Sequence, residues 1–289
     1  MITSSIPSVS FYTAQSKQVV GETAAEALSQ SSRALDKIFA SDPEVIAFGE
    51  IHRGDTEEPL SFHSTAQYFA QDILPLLPAH GIRDIVVEFL PDDPLIDAEL
   101  AAYMETGELS RKTPHINNWI AGPDRCGILA FLKSARDNGI TVHGGHLSLA
   151  EAPDAFDVAS LVARDPEGVS RLVRQHTLRQ IQKVLKGDRR VASFGGMRHN
   201  NYNPLPDDLQ ASYGDELYAQ LGRRYVEVDL LVPELAPFSA GQIGLDNWER
   251  YVPQAGLNYF DQKQRYLIIS PRTSNLRPLT QTEIRSCNY

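Results

Sequence analysis

Apolar and polar positions alternate along the chain in two regimes. Short, mostly apolar runs at 44–52 (EVIAFGEIH), 83–91 (RDIVVEFLP), 140–147 (ITVHGGHL), 189–196 (RRVASFGG), 224–232 (RYVEVDLLV) and 265–271 (RYLIISP) read as strands. Between them lie longer segments with apolar residues at helical spacing. The strongest is 165–188, where Val169, Leu172, Val173, His176, Ile181, Val184 and Leu185 form one stripe. Helices are also expected over 22–40, over 61–77 with Ser61 as cap, over 94–107 with Gly107 as the stop, over 127–139, and across most of 207–222. Residues 108–121 look irregular, and 148–165 show no clear pattern. The polar first twenty residues read as a loose arm, and 21–289 as a single domain.

Near-continuous apolar strands separated by helices mark an α/β fold: a mostly parallel central sheet with helices on both faces. Such sheets bind ligands beyond the carboxyl ends of their strands, so the residues at those ends are the candidates for chemistry. The first strand ends in Glu50 and His52, within GEIH, and the second carries Glu88. The third ends in His143 and His146, and the fourth runs through Gly195 and Gly196 to His199. The fifth carries Asp229. The chain has eight histidines, and four stand at these ends, which is more than a chance solvated terminus accounts for.

Alternation along a strand sends Glu50 and His52 to the same side. Gly49, Gly195 and Gly196 are expected to leave room for a substrate. Glu88, between Val87 and Phe89, needs a partner if it is buried. His63, at the start of the following helix, is a further candidate for the cleft. His176 sits on an apolar helix face and reads as a core or supporting residue. His80 reads as a helix end of no catalytic interest, and the sequence leaves His115 undecided.

Composition narrows the partners. A formal net charge of -10 argues against nucleic acid or an anionic membrane surface. No apolar run approaches the roughly 20 residues of a membrane span, and the N-terminus lacks the pattern of a secretory signal peptide. A small molecule, peptide or protein is the expected substrate, and the chain is expected to be soluble: cytoplasmic, or secreted without a cleaved signal. Two distant cysteines, Cys126 and Cys287, are expected to be reduced thiols, the first buried in a helix and the second in the tail. G-x-S-x-G, Walker, G-x-G-x-x-G and HEXXH motifs are absent, so the chemistry falls to Glu and His, with or without a metal.

Gly-Glu-Ile-His at 49–52, the strand-end Glu88, and the long helix with Arg174 running into a strand that ends Gly-Gly-Met-Arg-His at 195–199 together resemble the EreA/ChaN-like superfamily. That group spans erythromycin-esterase-like hydrolases, ChaN haem-binding proteins, Tiki metalloproteases and Ras-cleaving toxin endopeptidases. The resemblance covers about 44–230. It implies hydrolysis of an ester or peptide bond, or a related acyl or amide transfer. Glu50 or Glu88 would serve as general base, and His52 and His199 as acid, oxyanion stabiliser or metal ligands. His146, His63, Arg174 and His143 are possible additions. If a divalent ion takes part (Zn, Mn or Fe), His52, Glu88, His199 and His146 are the expected ligands. Two other readings follow from the same resemblance: a haem- or iron-binding protein, and a secreted effector or toxin acting on a host protein. The absent lipoprotein signal weighs against haem.

Overall fold

The computed structural model describes residues 26–28, 30–50, 64–109, 113–120, 124–187, 189–204, 206–234, 248–253, 256–261, 265–270 and 272. His52, His63, Ser61, Cys287 and the N-terminal arm lie outside the described residues.

Eight strands form one sheet in the order β1-β7-β8-β6-β2-β5-β3-β4. They are β1 (Glu26–Leu28), β2 (Val45–Glu50), β3 (Ile82–Pro91), β4 (Thr141–His146), β5 (Arg190–Gly196), β6 (Tyr225–Leu231), β7 (Leu257–Asp261) and β8 (Arg265–Ile269). The run from β8 to β4 is parallel, and β7 and β1 add antiparallel at one edge. The mostly parallel α/β architecture expected from the apolar runs is the one present.

The helices are α1 (Ser31–Phe39), α2 (Thr65–Asp72), α3 (Pro94–Thr106), α4 (Pro114–Trp119), α5 (Arg125–Asp137), α6 (Ala155–Arg164), α7 (Pro166–Leu185) and α8 (Gly214–Leu221). Their ends follow local chemistry. Asp93 caps α3 by accepting from Leu95 N–H at 2.9 Å, Pro94 opens it, and Gly107 closes it at φ 74°. Asp165 caps α7 in the same way through Gly168 N–H at 2.9 Å. Several expectations are corrected. Of the helix expected over 22–40, Ser31–Phe39 is helical, whereas 26–28 pairs with β7 as an edge strand. The helix after β2 is capped by Ser64 rather than Ser61, and after Asp72 its apolar stripe continues into a 3-10 turn, Leu74–His80, that contains Pro75 and Pro78. Residues 108–121 and 148–165 contain α4 and α6. Cys126, in the first turn of α5, is half-buried and disulfide-bonded, so it is not the buried free thiol expected, and the argument for a reducing compartment falls with it.

Two cores sandwich the sheet. On one face Ile46, Phe48, Val87 and Phe194 pack with Leu100 of α3 and with Phe69 and Phe131 of α2 and α5; the Phe69 and Phe194 rings lie 4.5 Å apart. On the other, Val45, Ala47, Val86 and Val191 pack against Ile181 and Val184 of α7 and Tyr213 and Leu217 at α8. These apolar layers hold the carboxyl ends of β2, β5 and β3 side by side. Among the described residues no helix is long and apolar enough to cross a membrane.

Candidate active site

The parallel register sets Glu50, the last residue of β2, directly beside Gly196 of β5. Glu50 O accepts from Met197 N–H at 2.9 Å, which ties the two strand ends together. One strand over, the β3–β4 pairing slips between Val87 and Pro91, so Glu88 sits in an irregular stretch instead of a regular ladder. Its side chain lies across Gly195. A Cβ at that glycine would come 2.9 Å from Glu88 Cβ and closer still to Oε2. Gly195 is therefore bare for the carboxylate, not for a substrate. Gly49 corrects the same expectation: a Cβ there would lie 2.6 Å from Asn200 Nδ2 and 2.7 Å from Asp229 Oδ1, so protein fills that space too.

Glu88 is 9% exposed, and each of its oxygens has a partner. Oε2 accepts from Gly196 N–H at 2.6 Å, and Oε1 lies 3.3 Å from His199 Nε2. Backbone N–H donors stabilise a carboxylate in its ionised form. His199 is fixed from the other side. Its Nδ1 is 2.7 Å from Ala211 O, and because a carbonyl only accepts, Nδ1 carries the hydrogen. Its own carbonyl accepts from Tyr213 N–H at 2.8 Å and from Ser212 Oγ at 3.1 Å. The imidazole therefore presents Nε2 to Glu88. Tyr213, whose hydroxyl lies 2.9 Å from Ser193 Oγ, has its phenol pushed well up by burial, with the nearby Glu88 charge adding to the shift.

Arg174 supports this arrangement from a distance. Its guanidinium donates to Ser212 O and to Glu216 Oε2, the latter at 3.1 Å, and so holds the loop that carries the Ala211 carbonyl. It contacts the loop, not Glu88. His143 stands apart: its Nε2 is 2.9 Å from Asp84 Oδ1, and Arg189 pairs with the same carboxylate at 2.8 Å. Asp84 lies near the start of β3, so His143 faces away from the carboxyl edge. His146 ends β4 opposite Pro91, with its ring 5.5 Å from that of Trp119. It shares the edge, one strand beyond Glu88. His176 bridges Asp92 Oδ2 and Glu151 Oε2, at 2.9 Å each, pinning the loops after β3 and β4 to α7. Burial works against ionising Asp92, but hydrogen bonds from His176, Arg179 and Gln180 outweigh it and hold the carboxyl below its usual range. His115 pairs with Glu99 at 2.7 Å and His80 stacks on Phe39 at 4.2 Å, both away from the Glu88–His199 pair.

Behind Gly49, Asp229 of the fifth apolar strand has a buried acidic partner, Glu227, that the sequence pattern does not single out. Glu227 is fully buried, and Arg265 reaches both its Oε1, at 3.1 Å, and Asp229 Oδ2, at 2.9 Å. Burial and the neighbouring Asp229 push the Glu227 carboxyl up to about 8, only partly offset by Arg265. The signal was present as E-x-D in an apolar strand followed by a distant Arg, a pairing that only the β6–β8 register reveals.

Among the described residues no three His, Cys, Asp or Glu side chains come together to hold a metal ion. The described donors Glu88 and His199 are committed to each other, to Gly196 and to Ala211. They do not by themselves form a metal-binding set, and His52 lies outside the described residues.

No protein-family model matches the chain, and no curated protein matches it by sequence. Solved structures do. A succinoglycan biosynthesis protein aligns over 90% of this chain and 98% of its own, at 11% identity and a TM-score of 0.52. The type III effector HopBA1 aligns over 88% and 99%, at 13% identity and a TM-score of 0.46. ChaN of Campylobacter jejuni, which binds haem cofacially, aligns over 69% and 86%, at 16% identity and a TM-score of 0.42. Identities this low speak to the fold and not to activity. The chain shares the α/β fold of the succinoglycan biosynthesis protein.

Proposed function

We propose that this protein is a hydrolase that cleaves an ester or peptide bond at the carboxyl edge of β2, β3 and β5. The reading rests on Glu88, a buried carboxylate held between Gly196 N–H and His199 Nε2, where Gly196 is also the strand partner of Glu50. A buried carboxylate–histidine pair, with a second carboxylate residue at the end of a nearby strand, suits proton transfer during hydrolysis.

The assignment of roles follows from the contacts. Glu88 orients His199 and stabilises its imidazolium. Glu50 takes a proton from water, and the resulting hydroxide attacks the substrate carbonyl carbon. The bond to the leaving oxygen or nitrogen breaks, and His199 Nε2–H supplies the proton that this group needs. At 3.3 Å the Nε2–Oε1 contact is longer than a tight charge-assisted bond of about 2.8 Å, which leaves Nε2 able to turn to a substrate atom. His52 and His146 are the proposed flanking donors. A divalent ion, if bound with His52 completing the set, would lower the pKa of the attacking water. The same fold occurs in effectors and in haem-binding ChaN, so the substrate class rests on the site.

The reading is tested with p-nitrophenyl esters and a mixed peptide library, comparing the protein with Glu50→Gln. Turnover that falls about 100-fold or more in a variant of unchanged melting temperature supports it. Undiminished turnover in that variant overturns it.

A further inference from the structure

A concavity lies at the edge strand β4, toward the amino end of the sheet. A cavity of about 550 Å³ opens beside Thr141–His143, the first half of β4, which is the last strand at its edge. Thr141 pairs with Asp84, several residues before Glu88 on β3, so the cavity lies toward the amino end of the sheet, away from the Glu88–His199 pair. Its volume is in the range of small-molecule sites. Leu100 and Met104 of α3 wall it from the face on which α5 also packs, Ile140 and Val142 form apolar floor, and Lys183 of α7 approaches from the other face.

Two cations line it. Among the described residues neither Arg136 nor Lys183 makes an ion pair, although both stand on helices rich in charged neighbours. The guanidinium of Arg136 lies across the left-handed Gly107 that ends α3, and a Cβ there would collide with it. That seat fixes where the charge sits. Asp97 is the one carboxylate in the lining, and one ring nitrogen of His143 is taken by Asp84. The charge balance is thus net positive, over an apolar floor.

We propose that this cavity binds a small amphipathic carboxylate, with its chain or ring on Leu100, Met104, Ile140 and Val142 and its anionic group between Arg136 and Lys183. The site is separate from the proposed hydrolytic one, and its test does not depend on turnover.

Isothermal titration of the full chain with octanoate, octanol and octylammonium decides it. Octanoate should bind one-to-one, at least ten-fold tighter than octanol, with octylammonium weakest. The Arg136→Gln, Lys183→Gln double variant should lose that ten-fold advantage and keep its octanol affinity. Met104→Trp should abolish octanoate binding by filling the cavity, and Ala101→Phe, from the exposed face of α3, provides a second block should the tryptophan disturb folding. Equal affinity for octanoate and octanol, octanoate binding that survives both blocks, or no binding at all would each overturn the proposal.

Discussion

Glu88 and His199 hold each other in place: the carboxylate spans Gly196 N–H at 2.6 Å and the imidazole Nε2 at 3.3 Å, while Ala211 fixes the opposite ring nitrogen at 2.7 Å. Glu88→Gln removes the negative charge that would stabilise an imidazolium at His199 and leaves one acceptor oxygen where the carboxylate has two. Activity should drop about 100-fold, and stability by about 1–3 kcal/mol, read by urea denaturation. A variant as active as the parent would separate the pair from catalysis.

Gly195 offers a subtler probe, because the group it would displace is the Glu88 side chain. Gly195→Ala should push the carboxylate off Gly196 N–H and lower kcat/KM by at least ten-fold while the circular dichroism spectrum stays unchanged. If substrate occupied that space instead, KM alone would rise.

Arg174 touches the loop behind His199 rather than Glu88. Arg174→Ala should therefore lower kcat and alter the pH dependence of kcat/KM, and Arg174→Lys should recover part of the loss. Matched changes in stability with an unaltered pH profile would mark Arg174 as structural only.

Much of this site is legible in the sequence, and the exceptions have physical causes. Gly-Glu at 49–50, Glu88 and Gly-Gly-Met-Arg-His stand out because apolar runs announce the strands, and the parallel sheet sends their ends to one edge. His143 reads as a strand end because the apolar run of β4 is short, and only the β3–β4 register reveals Asp84 beside it. The β7 strand (Leu257–Asp261) and the edge strand β1 were missed because antiparallel edge pairing leaves little mark on a short mixed segment. The Ala211 carbonyl that sets the His199 tautomer is a backbone atom, which no side-chain pattern can show.

The Glu227 carboxyl gives a pH signature of its own. Its folded value of about 8 stands above the ordinary value of 4.5, so the folded state holds a proton that the unfolded state releases between these values. Its contribution to stability is therefore complete below about pH 4.5 and is lost as pH rises through 8. The loss approaches about 1.4 kcal/mol per pH unit inside that window. Glu227→Gln should flatten the fall of the unfolding free energy between pH 5 and 8, measured by chemical denaturation at each pH. An identical slope in both proteins would place the titration elsewhere.

Glu50 and His199 are proposed to act on the same bond, and a double-mutant cycle separates joint from independent action. Groups acting as one unit are strongly non-additive, so kcat/KM of the Glu50→Gln, His199→Ala double variant should be close to that of the worse single variant. Full activity in either single variant, or losses that simply multiply, would show that the two residues do not act together on one bond.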